Sequence, residues 1–234
     1  MKRFKSLFLL CFLFMCFVFH SIIIETVYAD QQGLGKENKV CFRWAFGAMI
    51  EVKGDHQLIP ITRDIVLKTG DKLKMLVDIQ SECFIYVLYQ SSENEIYLLF
   101  PPKLGTDDYK TPNKYYVPKI HLWFELDEHT GKETFYLLAS ARQLNELESL
   151  YELYSSSNRP SQKRKLGQQL LSEVRSTKQK HSRLTAVAER PVRLGGSVRG
   201  IEKDQIDTVP ELDDIAIEIV APDFYSRTFT IDHR

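Results

Sequence analysis

Lys72-Leu73-Lys74-Met75-Leu76-Val77-Asp78-Ile79-Gln80 decides how this chain is read. Leu73, Met75, Val77 and Ile79 occupy every second position, and Lys72, Lys74, Leu76, Asp78 and Gln80 take the others. Successive side chains of an extended backbone point to opposite sides, so this period of two predicts a strand with one predominantly buried face. The turn chemistry of Lys68-Thr69-Gly70-Asp71 sets its start.

Working outward, residues 83 to 89 are rich in β-branched and aromatic side chains and read as a central strand. Ser91-Ser92-Glu93-Asn94 turns the chain into a strand at 96 to 100, which Pro101-Pro102 ends. Upstream, 40 to 52 reads as a strand followed by the Gly54-Asp55 turn, and 58 to 61 as a short edge segment because Pro60 opposes a central position. Residues 103 to 114 form an irregular connection before a short strand at 115 to 118. Residues 121 to 127 alternate as cleanly as 72 to 80, with Ile120, Leu122, Phe124 and Leu126 on one face and His121, Trp123, Glu125 and Asp127 on the other. With 133 to 140 they predict a hairpin or two neighbouring strands across the turn at 128 to 132. Late β segments at 215 to 220 and 224 to 231 flank Ala221-Pro222-Asp223.

Helical periodicity interrupts these strands. Leu144, Leu147, Tyr151 and Tyr154 recur every three or four residues, with Ser140 and Gln143 placed as a capping box. After the polar break from Ser155 to Ser161, Leu166, Leu170 and Val174 predict a second helix, with Lys163, Arg164, Lys165, Arg175 and Lys178 mostly facing solvent. Residues 159 to 199 hold eleven bases and two acids, a local formal charge of plus nine. Pro191 and Gly195-Gly196 among Arg190, Arg193 and Arg199 favour mobility there. The expected architecture is a mainly β, antiparallel β-sandwich-like domain over 40 to 234, including a helical and basic insertion at 144 to 199 with one or two helices.

Composition and the amino terminus bound the function. The chain has 234 residues, 44% apolar and 26% charged, with 31 Lys+Arg against 31 Asp+Glu. These values disfavour full disorder, a multi-span membrane protein and a wholesale polyanion binder. Lys2, Arg3 and Lys5 precede 19 uncharged residues from Ser6 to Ile24, and Val27-Tyr28-Ala29 suits signal peptidase. Residues 1–29 are expected to be a signal peptide and 30–39 a flexible lead-in; the alternative is an uncleaved anchor. Either places the remainder outside the cytoplasm, periplasmic or extracellular. There, Cys41 and Cys83 are permitted a disulfide, against a second reading as two small buried hydrophobes.

Leu67-Lys68-Thr69-Gly70-Asp71-Lys72-Leu73, Phe84-Ile85-Tyr86-Val87-Leu88-Tyr89-Gln90, Tyr97-Leu98-Leu99-Phe100-Pro101 and the run from Thr130 to Ser140 occur in an order that resembles the bacterial family called domain of unknown function 4384. The resemblance covers approximately residues 65 to 142. The connection Pro112-Asn113-Lys114-Tyr115-Tyr116-Val117-Pro118 retains the Asn and Pro of the family pattern but lacks its Gly. The resemblance implies an extracytoplasmic or modular β-domain and transfers no catalytic residue, cofactor or substrate.

Chemistry is sparse in the motifs. Gly33-Leu34-Gly35-Lys36 lacks phosphate-loop spacing and a preceding strand. His121, Glu125 and Asp127 offer metal-ligating atom types on one strand face, but no second histidine pair or H-E-x-x-H arrangement accompanies them, so they read first as a solvated face, and no metal site is assigned. His129 reads as a turn residue. Ser140 lacks a G-x-S-x-G elbow, and Cys83 sits in an apolar run that argues for burial. The basic segment is the only sizeable functional suggestion, with Lys163, Arg164, Lys165, Arg175 and Lys178 as partner-binding residues for an envelope protein or an anionic envelope component. Nucleic acid ranks below these partners because no aromatic stacking pattern accompanies the bases. Membrane contact enters through export or the anchor. The leading expectation is an exported, non-catalytic binding or accessory domain; the alternatives are an extracytoplasmic hydrolytic enzyme and a structural component of an envelope assembly.

Overall fold

The computed structural model describes residues 39–106, 109–119, 121–181, 188–191 and 212–234. The export segment and the lead-in as far as Asn38 lie outside them, as do residues 182–187 and 192–199 of the basic tract. Among the described residues no helix is long and apolar enough to cross a membrane.

The 72–80 alternation is realised as strand β4 (Lys72–Ile79), an inner strand of the first sheet. Its Leu73, Met75, Val77 and Ile79 are buried in the main core. On one side β4 pairs antiparallel with β1 (Val40–Val52), whose Phe42, Trp44, Phe46 and Ala48 fill the same core. On the other side it pairs with β7 (Asn113–Val117) and with two residues of β8 (Phe124–Glu125). The far edge of β1 is shared, its first half pairing with β11 (Ile217–Ala221) and its second with β2 (Asp55–Pro60). Pro60 ends that edge strand, where a missing N–H costs no ladder bond. β10 (Ala188–Pro191) completes the sheet beside β11.

The second sheet runs β3 (Ile65–Leu67), β12 (Phe224–His233), β9 (Gly131–Ser140), β5 (Phe84–Gln90) and β6 (Ile96–Phe100). All pairings are antiparallel except the short parallel contact of β3 with β12. Ile85, Val87, Phe135, Leu137, Phe229 and Ile231 face the first sheet across the main core. Trp44, Phe46, Phe135 and Phe229 cluster there with ring centroids between 4.9 and 6.3 Å apart. Two helices, α1 (Asn145–Ser156) and α2 (Pro160–His181), form a third layer on the other face of this sheet.

Three expectations about the fold need correction. Residues 121–127 do not form a strand: the Leu122 N–H donates to the Lys119 carbonyl in a turn, and only Phe124 and Glu125 pair. Accordingly 121–127 and 133–140 are not a hairpin, because β8 belongs to the first sheet and β9 to the second. Part of the supposedly mobile stretch, Arg190 and Pro191, lies in β10 and pairs with β11. The helical insertion is seated on the second sheet as its apolar periodicity implies, with Leu147, Tyr154, Leu170 and Val174 at 4% exposure or less.

Candidate functional site

The helical layer is built around tyrosines from both sides. Tyr86 on β5 accepts a hydrogen bond from the Leu144 N–H at 3.2 Å and donates to Glu148 at 2.5 Å, while Gln143 donates to the other Glu148 oxygen at 2.8 Å. The expected Ser140–Gln143 capping box is therefore absent. The N-cap is Leu144, without a side-chain cap, and Tyr86 supplies the missing acceptor from the sheet. Ser140 instead accepts from the Arg142 N–H. At the edge of the sheet, the Ile96 and Leu98 N–H groups of β6 donate to the hydroxyls of Tyr154 and Tyr151 at 2.9 and 3.0 Å. An open strand edge would leave such donors available to another chain, so α1 closes it. Gly167 brings α2 close, since a Cβ there would lie 3.3 Å from the Tyr154 ring.

The five basic residues do not form one patch. Lys163 lies beside the buried face, 3.3 Å from Glu95 and with its Nζ 5.3 Å from the centre of the Tyr154 ring. Lys178 donates to Thr228 at 2.7 Å, and its burial lowers the pKa of its ammonium. Arg164, Lys165 and Arg175 are exposed. Arg164 and Arg175 are eleven residues apart, close to three turns, and share one flank of the helix about 16 Å apart along its axis. Lys165, one residue after Arg164, lies about 100° further round the helix. Composition counted these charges correctly, but helix azimuth divides them between internal contacts and solvent.

Lys163 and Arg164 also line a cleft of about 830 Å³ between the β5–β6 turn and the start of α2. Glu93, Asn94 and Glu95 form one wall; Ser157, Asn158, Lys163, Arg164 and Gln168 contribute to the other, with Tyr154 and Leu171 the larger apolar groups. Asn94 adopts a φ of 65°, within the left-handed region that Asn tolerates better than most residues. Hydrogen bonds from Tyr97 and Lys163 hold the Glu95 carboxyl below its ordinary range. The Ser157 hydroxyl oxygen is shielded from solvent and has no hydrogen-bond partner. Sequence reasoning missed Glu93, Asn94 and Glu95 because they read simply as a turn, more than sixty residues away from the helix they face. The available signal was two polar breaks, at 91–94 and 155–161, each beside an apolar element.

Elsewhere, His121, Glu125 and Asp127 do not share a strand face. Glu125 lies 3.4 Å from Lys72, and Asp127 pairs with His129 at 3.1 Å in a turn. Cys41 and Cys83 are free thiols; Cys83 is fully buried, and desolvation pushes its pKa up to about 12, which opposes thiolate formation. One acid and base do converge: His233 Nδ1 lies 3.3 Å from Glu133. Thr69 donates its hydroxyl proton to the Asp127 carbonyl, which leaves its oxygen to accept from His233 Nε2 at 3.1 Å. Burial raises the Glu133 pKa, opposed by His233 and Tyr89. With Glu133 5% and His233 1% exposed, this network ties the end of β12 to β9 and to the turn before β4 inside the protein.

No curated protein matches the chain. Residues 66–143 match the family model described as Domain of unknown function (DUF4384), a segment that runs from β3 through β9 and so includes strands of both sheets, but neither β1, β12 nor the helices.

Proposed function

We propose that the protein is an exported, non-catalytic binding or accessory domain that acts on an envelope-associated partner, with the outer surface of α2 providing electrostatic attraction. The observation that carries this reading is the anchoring of α2 by Leu170 and Val174 while Arg164, Lys165 and Arg175 remain exposed without a hydrogen bond or ion pair among the described residues. Charges held on a rigid layer lose less freedom on binding than the same charges on a mobile tail. The export element of the proposal rests on the basic head and the uncharged run of the first 29 residues.

Replacing Arg164, Lys165 and Arg175 together by Gln tests the reading. The variant should keep the wild-type circular-dichroism spectrum but lose most capture of anionic components from envelope extracts. Wild-type capture should weaken between 50 and 300 mM salt, since the screening length is only about 10 Å at 0.1 M. Equal capture by variant and wild type at every salt concentration would refute the proposal. Sequencing the amino terminus of the cell-derived protein checks export separately, with Asp30 expected as the first residue.

A further inference from the structure

We propose that the cleft between the β5–β6 turn and the start of α2 binds a short peptide carrying both an ammonium and a carboxylate. The inference rests on the reading of the protein as a binding domain, but it uses charges of both signs rather than the basic surface alone. Lys163 and Glu95 meet at 3.3 Å and close one charge pair within the cleft. Glu93 and Arg164 line the same cleft, yet neither has a hydrogen bond or ion pair among the described residues. They therefore remain an open pair of opposite charges, each available to a ligand.

The formal charges of Glu93, Glu95, Lys163 and Arg164 sum to zero. A purely anionic ligand meets two carboxylates, and a purely cationic one meets Lys163 and Arg164. A ligand with both charges can satisfy Glu93 and Arg164 together while leaving the Lys163–Glu95 pair intact. The neutral lining favours a peptide between those ends. Asn158 and Gln168 each offer a donor and an acceptor, and Asn94 offers its amide N–H groups, its oxygen already accepting from Gln90 at 3.0 Å. These are the complements of peptide N–H and C=O groups. A zwitterionic lipid headgroup carries similar charges, but with Tyr154 and Leu171 as the larger apolar groups the cleft offers little for acyl chains. Its volume of about 830 Å³ falls within the range that holds compact ligands.

Trialanine isolates the charge requirement, because its only charges are the terminal ammonium and carboxylate. Titrated into the full protein as it is recovered from cells, it should shift the backbone amide signals of Asn94, Asn158, Gly167 and Gln168 in a saturable way. Acetyl-trialanine, which lacks the ammonium, and trialanine amide, which lacks the carboxylate, should each bind at least tenfold more weakly. Arg164→Ala and Glu93→Ala should each weaken trialanine at least tenfold. The exchange variant Arg164→Glu with Glu93→Arg should recover binding relative to either charge-reversed single variant, which guards against a lesion in the fold. Saturable shifts elsewhere, no shift at millimolar trialanine, or equal binding of the blocked peptides would overturn the proposal. Equal binding of glycerophosphoethanolamine would overturn the peptide assignment. Glu93→Ala separates this inference from the function proposed above: it should weaken trialanine binding at least tenfold without reducing capture of an anionic envelope component.

Discussion

The two sheets of the sandwich turn very different outer faces away from their shared core. The second sheet is covered by α1 and α2 through an apolar seam in which Leu88, Leu138 and Leu170 are fully buried. Among the described residues the first is covered by the 3₁₀ turn Leu212–Ile215, whose Leu212 packs with Ala45, Leu76 and Ala216. Beside that apolar contact lie charges: Asp213 accepts from Lys114 at 2.7 Å and Tyr116 at 3.0 Å, and Arg43 lies 3.2 Å from Asp78 and 3.6 Å from Asp213. Each cover comes close over a glycine. A Cβ on Gly47 would lie 2.8 Å from Leu58 and 2.9 Å from Leu212, whereas one on Gly167 would lie 3.3 Å from Tyr154. The difference teaches that a long helical pair can be held by area, whereas a single short turn needs directional contacts to supplement the little area it buries.

The largest effect should come from the apolar seam. Leu170→Ala removes a fully buried side chain from between α2 and the second sheet, and should cost about 3 kcal/mol, within the range of about 2 to 5 for such truncations. Urea denaturation should show the loss with little dependence on salt. A loss below about 1 kcal/mol would mean that the helices are not held by area, and would erase the contrast between the two covers.

Asp213→Asn should be smaller and should respond to solution conditions. Its carboxylate is partly exposed, so the combined loss of Lys114 and Arg43 interactions is about 1 kcal/mol after allowance for screening. Burial pushes the Asp213 pKa up, but hydrogen bonds from Lys114 and Tyr116, with the charges of Lys114 and Arg43, outweigh burial and hold it below 3.8. A depressed folded-state pKa means that the stabilisation is present above the unfolded value and is lost as pH falls through the folded value. Wild type should therefore exceed the variant in stability by a constant amount above about pH 5, and the gap should shrink below 3.8. It should also shrink with added salt. A gap that ignored both pH and salt would place the first sheet's cover with the second's, held by packing alone.

The two alternating stretches show where local pattern carries structural information and where it stops. Residues 72–80 and 121–127 have the same period of two, yet only the first becomes a full strand. Strand formation also requires an unoccupied neighbouring edge, and β7 already occupies β4 from Met75 to Ile79. Only Lys72 to Lys74 remain, and of these Lys72 and Leu73 pair with Glu125 and Phe124. The sandwich, both helices and the late strands were thus legible from local pattern, whereas the assignment of 121–127 depended on competition for an edge. The candidate site was legible only in part, for a related reason. Net charge identified α2, but packing against Tyr154, Glu95 and Thr228 withdrew Lys163 and Lys178 from the exposed set. The cleft's acidic wall is distant in sequence and could be recognised only after β5, β6 and the helices had come together.

The smallest effect should be at Gly167, where two terms of similar size oppose one another. Alanine in a helix interior gains about 1 kcal/mol over glycine because it restricts the unfolded chain more strongly. Against this, the new Cβ would meet Tyr154 Cε2 at 3.3 Å and Ile96 Cδ1 at 3.6 Å, and Tyr154 is anchored by the hydrogen bond from the Ile96 N–H. The ring cannot recede freely without lengthening that bond. Gly167→Ala should therefore change stability by less than about 0.5 kcal/mol, the propensity gain being nearly cancelled by packing. Combining it with Tyr154→Phe gives the sharper measurement, because loss of the hydroxyl frees the ring to shift. In that background Gly167→Ala should recover most of the helical gain and stabilise the protein by about 0.5 to 1 kcal/mol. Equal effects of Gly167→Ala in both backgrounds would show that the edge hydrogen bond does not hold the ring against α2.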